Sequence, residues 1–121
     1  MINHYLINPV PKPRMTRADK FRKRPVVCKY WAFKDEVRKA GVKFPPSGAT
    51  IIFILEMPKS WSKKKKARMA GQPHTQTPDL DNLLKALGDA IYDNDAHIWH
   101  IAGLQKRWGA EGQIMIDKGE L

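Results

Sequence analysis

Thr50 to Met57, within Ala49-Thr50-Ile51-Ile52-Phe53-Ile54-Leu55-Glu56-Met57, is an apolar run rich in β-branched and aromatic side chains, and Pro58 closes it. A run of that length and composition predicts a buried strand, so the chain must build a sheet around it. Ile2 to Ile7 alternates loosely and stops at Asn8-Pro9, as a short strand does before a residue that cannot donate to a ladder. Ile98 to Trp108 and Gln113 to Ile116 predict two further strands; Gly109-Ala110-Glu111-Gly112 between them predicts a hairpin.

Two segments carry the other periodicity. From Val26 to Ala40, apolar residues at Tyr30, Phe33, Val37 and Ala40 predict a helix that Gly41 ends. From Leu80 to Ile91, the apolar residues Leu80, Leu83, Leu84, Leu87, Ala90 and Ile91 share one face, with Asp81, Lys85 and Asp89 opposite. The order strand, helix, strand, helix, strand, strand predicts an α+β fold, with two helices on one face of a mixed four-stranded sheet. Lys59 to Pro78 lacks periodicity and reads as a long, mobile, functional loop.

The 121 residues suffice for one domain, expected to span 1–121. Cys28 is the sole cysteine, which excludes an intrachain disulfide and a cysteine-based zinc site. The N-terminus lacks the pattern of a secretory signal, and no stretch approaches the roughly 18 apolar residues of a membrane span. The expectation is a cytoplasmic protein that does not engage a membrane.

Charge is distributed unevenly. Residues 1 to 78 hold 18 Lys and Arg against 4 Asp and Glu, whereas residues 79 to 121 hold 4 against 8. Lys12, Arg14, Arg17, Lys20, Arg22, Lys23 and Arg24 occupy a proline-containing segment expected to be semi-extended; Lys63, Lys64, Lys65, Lys66 and Arg68 form a second basic group. Such surfaces suit a nucleic-acid backbone, and neither contains a base-reading motif, so contacts to phosphate are expected. Carboxylates brought close to phosphate repel it unless a divalent cation intervenes.

The acidic focus is Asp79-Leu80-Asp81-Asn82-Leu83-Leu84-Lys85. Inside a regular helix, Asp79 and Asp81 would project nearly oppositely, so a shared metal requires Asp79 to stand at or before the first turn. Pro78 makes that arrangement natural. A purely structural account competes: Asp79 or Thr77 caps the helix, Asp81 pairs with Lys85, and neither carboxylate binds metal. Asp93-Asn94-Asp95 adds a third oxygen donor. Mg²⁺ takes few carboxylates together with water and phosphate oxygens, and Asp79, Asp81 and Asp95 meet that demand. Such an ion polarises a phosphodiester and acidifies water, while Lys85 stabilises charge developing at phosphorus.

These residues, with Asp93-Asn94-Asp95-Ala96, resemble the motifs of the RusA family of Holliday-junction resolvases. The resemblance extends over nearly the whole chain, through Pro9-Val10-Pro11, the first helix and the terminal strands. It implies a homodimeric, Mg²⁺-dependent endodeoxyribonuclease, with Mn²⁺ as a substitute ion, that binds branched DNA and resolves four-way junctions by paired nicks during recombination and repair. Such enzymes are often associated with phages and prophages. By the same resemblance, Asp79, Asp81 and Asp95 are metal ligands, Lys85 is needed for cleavage, and Asn82 supports the arrangement.

The chain departs from the family pattern in two places. Thr75-Gln76-Thr77-Pro78 stands where relatives often carry a basic run, and Asn94 stands where an acidic residue occurs, leaving Asp93 as an alternative ligand. His97 and His100 read as ordinary polar residues. Trp99 and Trp108 read as packed, and Trp61 as a candidate for base stacking; Trp31 and Trp99 are candidates for a dimer surface. A non-catalytic nucleic-acid-binding module and a nuclease preferring flaps are the competing functions.

Overall fold

The computed structural model describes residues 2–16, 24–92 and 95–119, without the side chain of Asp95. Its elements are β1 (Ile2–Tyr5), α1 (Pro25–Lys39), β2 (Ser47–Glu56), α2 (Lys63–Met69), α3 (Leu80–Ile91), β3 (His100–Gly109) and β4 (Gln113–Asp117), with a 3₁₀ turn at Asp95–His97. The fold is α+β: three helices and a mixed four-stranded sheet ordered β1-β4-β2-β3. Arg17, Lys20, Arg22, Lys23 and Asp93 lie outside the described residues.

β2 is central because its apolar residues have neighbours on both edges. It runs parallel to β3, with Phe53 opposite Lys106, and antiparallel to β4, with Ile51 opposite Ile116. Ala49, Ile51 and Phe53 are fully buried, while Thr50, Ile52 and Ile54 between them are half-buried. One apolar cluster joins these alternate positions to Ile114 and Ile116 of β4, Tyr30, Phe33 and Val37 of α1, and Leu83, Ala86 and Leu87 of α3. Each fully buried leucine contributes about 2 kcal/mol of transfer free energy.

The expected terminal hairpin does not form. β3 and β4 are consecutive in sequence, yet β2 lies between them, taking one partner on each edge. The connection instead passes across the end of β2, where Met57 donates its N–H to the carbonyl of Gly109 at 3.0 Å. A Cβ at Gly112 would stand 2.8 Å from the backbone Cα of Asn8, so this crossing needs glycine. A glycine-bounded tetrapeptide signals a turn without specifying which strands it joins.

The long loop expected over Lys59 to Pro78 is also corrected. Ser62 caps α2, its hydroxyl accepting the Lys65 N–H at 3.1 Å. The helix consists of lysines, Ala67, Arg68 and Met69, good helix formers that bury no face, so propensity builds it without an amphipathic stripe. Trp61 anchors it against Trp108 at a ring distance of 4.8 Å, and the Lys65 ammonium lies 4.3 Å from the Trp61 ring centre. The chain then runs along the outer edge of β3: Gly71 donates to Trp108, Trp108 to Gln72, and His74 to Lys106. This strap satisfies backbone groups that an edge strand would otherwise expose.

α1 starts with Pro25, whose fixed φ suits a first helical position, and is followed by Gly41 at φ +69. Its buried residues are Val27, Tyr30, Phe33 and Val37, whereas Ala40 is exposed at the C-cap. Residues 7–12 are docked, not merely draped over the surface: Ile7 and Val10 are buried, and the Lys12 N–H donates to the Asn82 carbonyl at 3.0 Å.

Candidate active site

Asp79 occupies the N-cap of α3 in an extended conformation, φ −68 and ψ 143. Its carbonyl accepts the Leu83 N–H at 3.2 Å, but its carboxylate makes no capping hydrogen bond. Asp79 thus stands at the cap position with its side chain outside the helical array. Asp81 follows in the first turn, where the exposed N–H groups favour a negative charge. The requirement that Asp79 precede the regular helix is met.

Lys85 reaches Asp81 one turn later, Nζ to Oδ2 at 3.8 Å, with side-chain exposures of 53% and 70%. A surface pair at that separation contributes well under about 1 kcal/mol and leaves both groups available to other partners. Asn82 borders two adjoining shallow depressions, one containing Asp79, Thr77 and Pro11 and the other Lys12, Arg14 and Lys85. The α3 N-terminus therefore brings together carboxylates, an exposed ammonium and part of the first basic segment.

Lys12 has a second engagement. Its Nζ lies 2.7 Å from Asp89 Oδ2, and the Tyr30 hydroxyl donates to the same oxygen at 2.7 Å. Burial pushes the Asp89 carboxyl up, but the Lys12 and Tyr30 hydrogen bonds and the charges of Lys12 and Lys34 outweigh it and hold the carboxyl below its ordinary value. The Arg38 Nε donates to the Ala90 carbonyl at 2.9 Å, adding another tie between α1 and α3. Arg24 donates to the Arg14 carbonyl at 2.8 Å, which ties Arg14 to the start of α1.

The second basic group projects from α2, with Lys63, Lys64 and Arg68 exposed and Lys65 and Lys66 half-exposed. His74 is buried in the strap with its ring 4.1 Å from that of Trp108. Burial and the nearby Lys106 charge lower its pKa, against weaker backbone hydrogen bonds that raise it. Trp108 is packed as expected. Trp99 instead precedes β3 and is 75% exposed, which corrects its placement in a strand and removes it from the core of the single chain. His97 and His100 are exposed, and Trp61 serves the packing of α2.

Asp95 begins the turn at the other end of α3. The adjoining chain is fixed there by the Tyr92 hydroxyl donating to the Phe44 carbonyl and by the Trp99 N–H donating to the Pro46 carbonyl at 3.0 Å. Those contacts lie beside the start of β2, whereas Lys106, which binds the backbone preceding Asp79, is paired with Phe53. Along β2 the two levels are about 20 Å apart; along α3, Asp79 and Tyr92 are likewise about 20 Å apart. Asp79 and Asp81 occupy the cap and first turn of α3, and Asp95 belongs to a turn remote from them within the chain.

Among the described residues, no three His, Cys, Asp or Glu side chains cluster as a metal site. The pair Asp79 and Asp81 nevertheless fits a hard divalent cation: both supply oxygen, neither is buried, and neither carboxylate is consumed by capping. The model of the endodeoxyribonuclease RusA family matches residues 7–117, encompassing the basic segment, both helices of the core and the acidic motif. The chain belongs to the RusA endodeoxyribonuclease family. No curated protein and no solved structure gives a match. RusA membership makes the chain an endonuclease of DNA, and among the described residues no helix is long and apolar enough to cross a membrane.

Sequence reasoning missed Lys106 and the specific partners of Asp89. Lys106 donates to the carbonyls of Gln76 and Pro78, the latter at 2.7 Å, immediately before Asp79. Its isolated sequence signal is a lysine in the acidic half; its partners lie 28 and 30 residues away.

Proposed function

We propose that this RusA-family chain acts as a homodimer that resolves four-way DNA junctions by Mg²⁺-dependent phosphodiester hydrolysis, with each active site assembled from two chains. The supporting observation is the placement of Asp79 and Asp81 at one end of α3 and the Asp95 turn at the other. Carboxylates sharing one ion lie within roughly 5 Å of one another, far less than the length of this helix. A twofold axis setting the N-terminus of α3 against the Asp95 turn of a second copy joins the three carboxylates and generates two equivalent sites. Paired nicks on symmetry-related strands then follow from the symmetry of the assembly.

Asp79 and Asp81, with Asp95 of the partner subunit, would hold the ion. When bound, Mg²⁺ supplies positive charge at the phosphate and a more acidic water. Lys85 holds a phosphate oxygen through its exposed ammonium and opposes the charge that develops there. Lys12 and Arg14, beside Lys85, guide the backbone toward the site, and the α2 lysines hold a more distant stretch of duplex.

The test mixes Asp81→Asn chains with Asp95→Asn chains and incubates them with a labelled synthetic four-way junction in Mg²⁺ or EDTA. Each variant alone should cut about a hundredfold or more slowly than wild type, in keeping with loss of a ligand. Their heterodimer retains one intact shared site, so random mixing should restore about a quarter of wild-type nicking, mostly as single nicks. No recovery after verified subunit exchange places the ligands in one chain and rejects the shared site. A wild-type protein that binds the junction without cutting it under any divalent ion defeats the nuclease reading itself.

A further inference from the structure

Lys106 is placed where a rigid sheet meets the chain leading into Asp79. Its backbone is in register with fully buried Phe53, and its carbonyl accepts the His74 N–H at 3.0 Å. Its side chain continues to the same strap, donating to the Pro78 carbonyl at 2.7 Å and to that of Gln76. The Pro78 carbonyl belongs to the peptide plane that supplies the Asp79 nitrogen. Holding that carbonyl, while the Asp79 carbonyl on the other side is held by the Leu83 N–H, restrains both peptide planes that flank Asp79 and so the direction in which its Cα–Cβ bond leaves the chain.

We propose that Lys106 is a positioning residue that aims Asp79 at the metal, acting through the Pro78 peptide; this rests on the reading of Asp79 as a ligand. The Asp79 carboxylate has no capping bond of its own, so its direction depends on how the preceding backbone is held. Helix stability alone is a poor reason for this lysine, since a cation near the start of α3 opposes the helix dipole. Two carbonyl acceptors offset that repulsion and fix the ammonium in place. Ligands need such outer support because small displacements weaken both coordination and chemistry.

The experiment compares wild type, Lys106→Gln and Lys106→Arg. Mn²⁺ affinity is measured in the absence of DNA by electron paramagnetic resonance, junction affinity in Ca²⁺, and cleavage across a Mg²⁺ series. Lys106→Gln should weaken Mn²⁺ binding and raise the Mg²⁺ half-saturation point by about ten- to a hundredfold. Junction affinity and KM should remain within about twofold, and Lys106→Arg, which retains a long cationic donor, should recover most of the lost metal affinity. Adding Lys106→Gln to Asp79→Asn should cause little further loss, because both act on one ligand.

Wild-type Mn²⁺ affinity in folded Lys106→Gln overturns the proposal. So does a loss of junction affinity with a salt slope smaller by about one and unchanged Mn²⁺ binding, which identifies a phosphate contact. If Lys106→Gln does not fold, a folded Lys106→Arg that loses Mn²⁺ affinity to the same extent as Asp79→Asn rejects guidance by a retained cation, whereas near-wild-type affinity supports it. If wild type neither binds Mn²⁺ nor cuts, the nuclease reading and this proposal both fall; if wild type cuts and Asp79→Asn cuts equally well, the assignment of Asp79 is what fails.

Discussion

Asp89 illustrates how a residue can support the site without taking part in chemistry. Its carboxylate, 18% exposed, receives Lys12 from the basic segment and Tyr30 from α1, so one side chain ties three parts of the chain together. Its folded pKa is lower than its unfolded one, and its contribution is therefore present above the ordinary value near 3.8 and lost as pH falls through the lower folded value. Asp89→Asn removes the charge while retaining an acceptor; chemical denaturation at neutral pH should show a loss of about 2 kcal/mol. The gap between wild type and variant should narrow below pH 4, a direction that a pH series of melts can check. Periodicity identified Asp89 as polar-side, but could not identify Tyr30 and Lys12 as its partners across long sequence separations. The acidic motif was legible for a different reason: Asp79, Asp81 and Lys85 are local, and helical angles alone demanded that Asp79 stand before the regular turns.

At the scale of elements, strong patterns located α1, β2 and α3, because each buries a definite face. α2 escaped because it buries none, being set by the Ser62 cap, its helix-forming residues and the Trp61 contact with Trp108. The terminal hairpin failed for the complementary reason: turn residues are local, while the choice of edge was made by β2. A short helix carrying Lys63, Lys64, Lys65 and Lys66 is a compact electrostatic handle, joined to the core through the strap. Replacing these four lysines with glutamine should weaken junction binding and reduce the dependence of log affinity on log salt by roughly 3 to 4, if each meets one phosphate. At saturating junction, the single-turnover cutting rate should stay within about threefold of wild type, since α2 supplies no metal ligand in this mechanism. A binding titration across salt concentrations and a single-turnover time course separate these effects. An unchanged slope would remove α2 from the DNA-binding surface.

For the whole molecule, composition distinguished a basic approach surface from an acidic focus, and the helix expected over Leu80 to Ile91 already sets Asp79 and Asp95 at its two ends, about 20 Å apart. The structure adds the parallel β2–β3 crossover that contains α2 and α3, in which the chain enters α3 from the strap beside β3 and leaves it toward the start of β2. In the proposed assembly, binding and cutting then have different stoichiometric requirements. A single chain carries the basic groups, whereas a complete set of three carboxylates requires two. Dilution below the dimer dissociation constant should therefore reduce cutting more steeply than junction binding, with initial rates approaching the square of protein concentration before flattening once dimers predominate. Junction itself can promote pairing by holding two chains on one scaffold, so the second-order region should contract as junction concentration rises. Initial rates over a wide protein range, together with sedimentation of free protein, provide the check. First-order rates throughout a range in which the protein and its junction complex both sediment as monomers would show that one chain suffices, and the assignment of Asp95 to the partner's site would have to be abandoned.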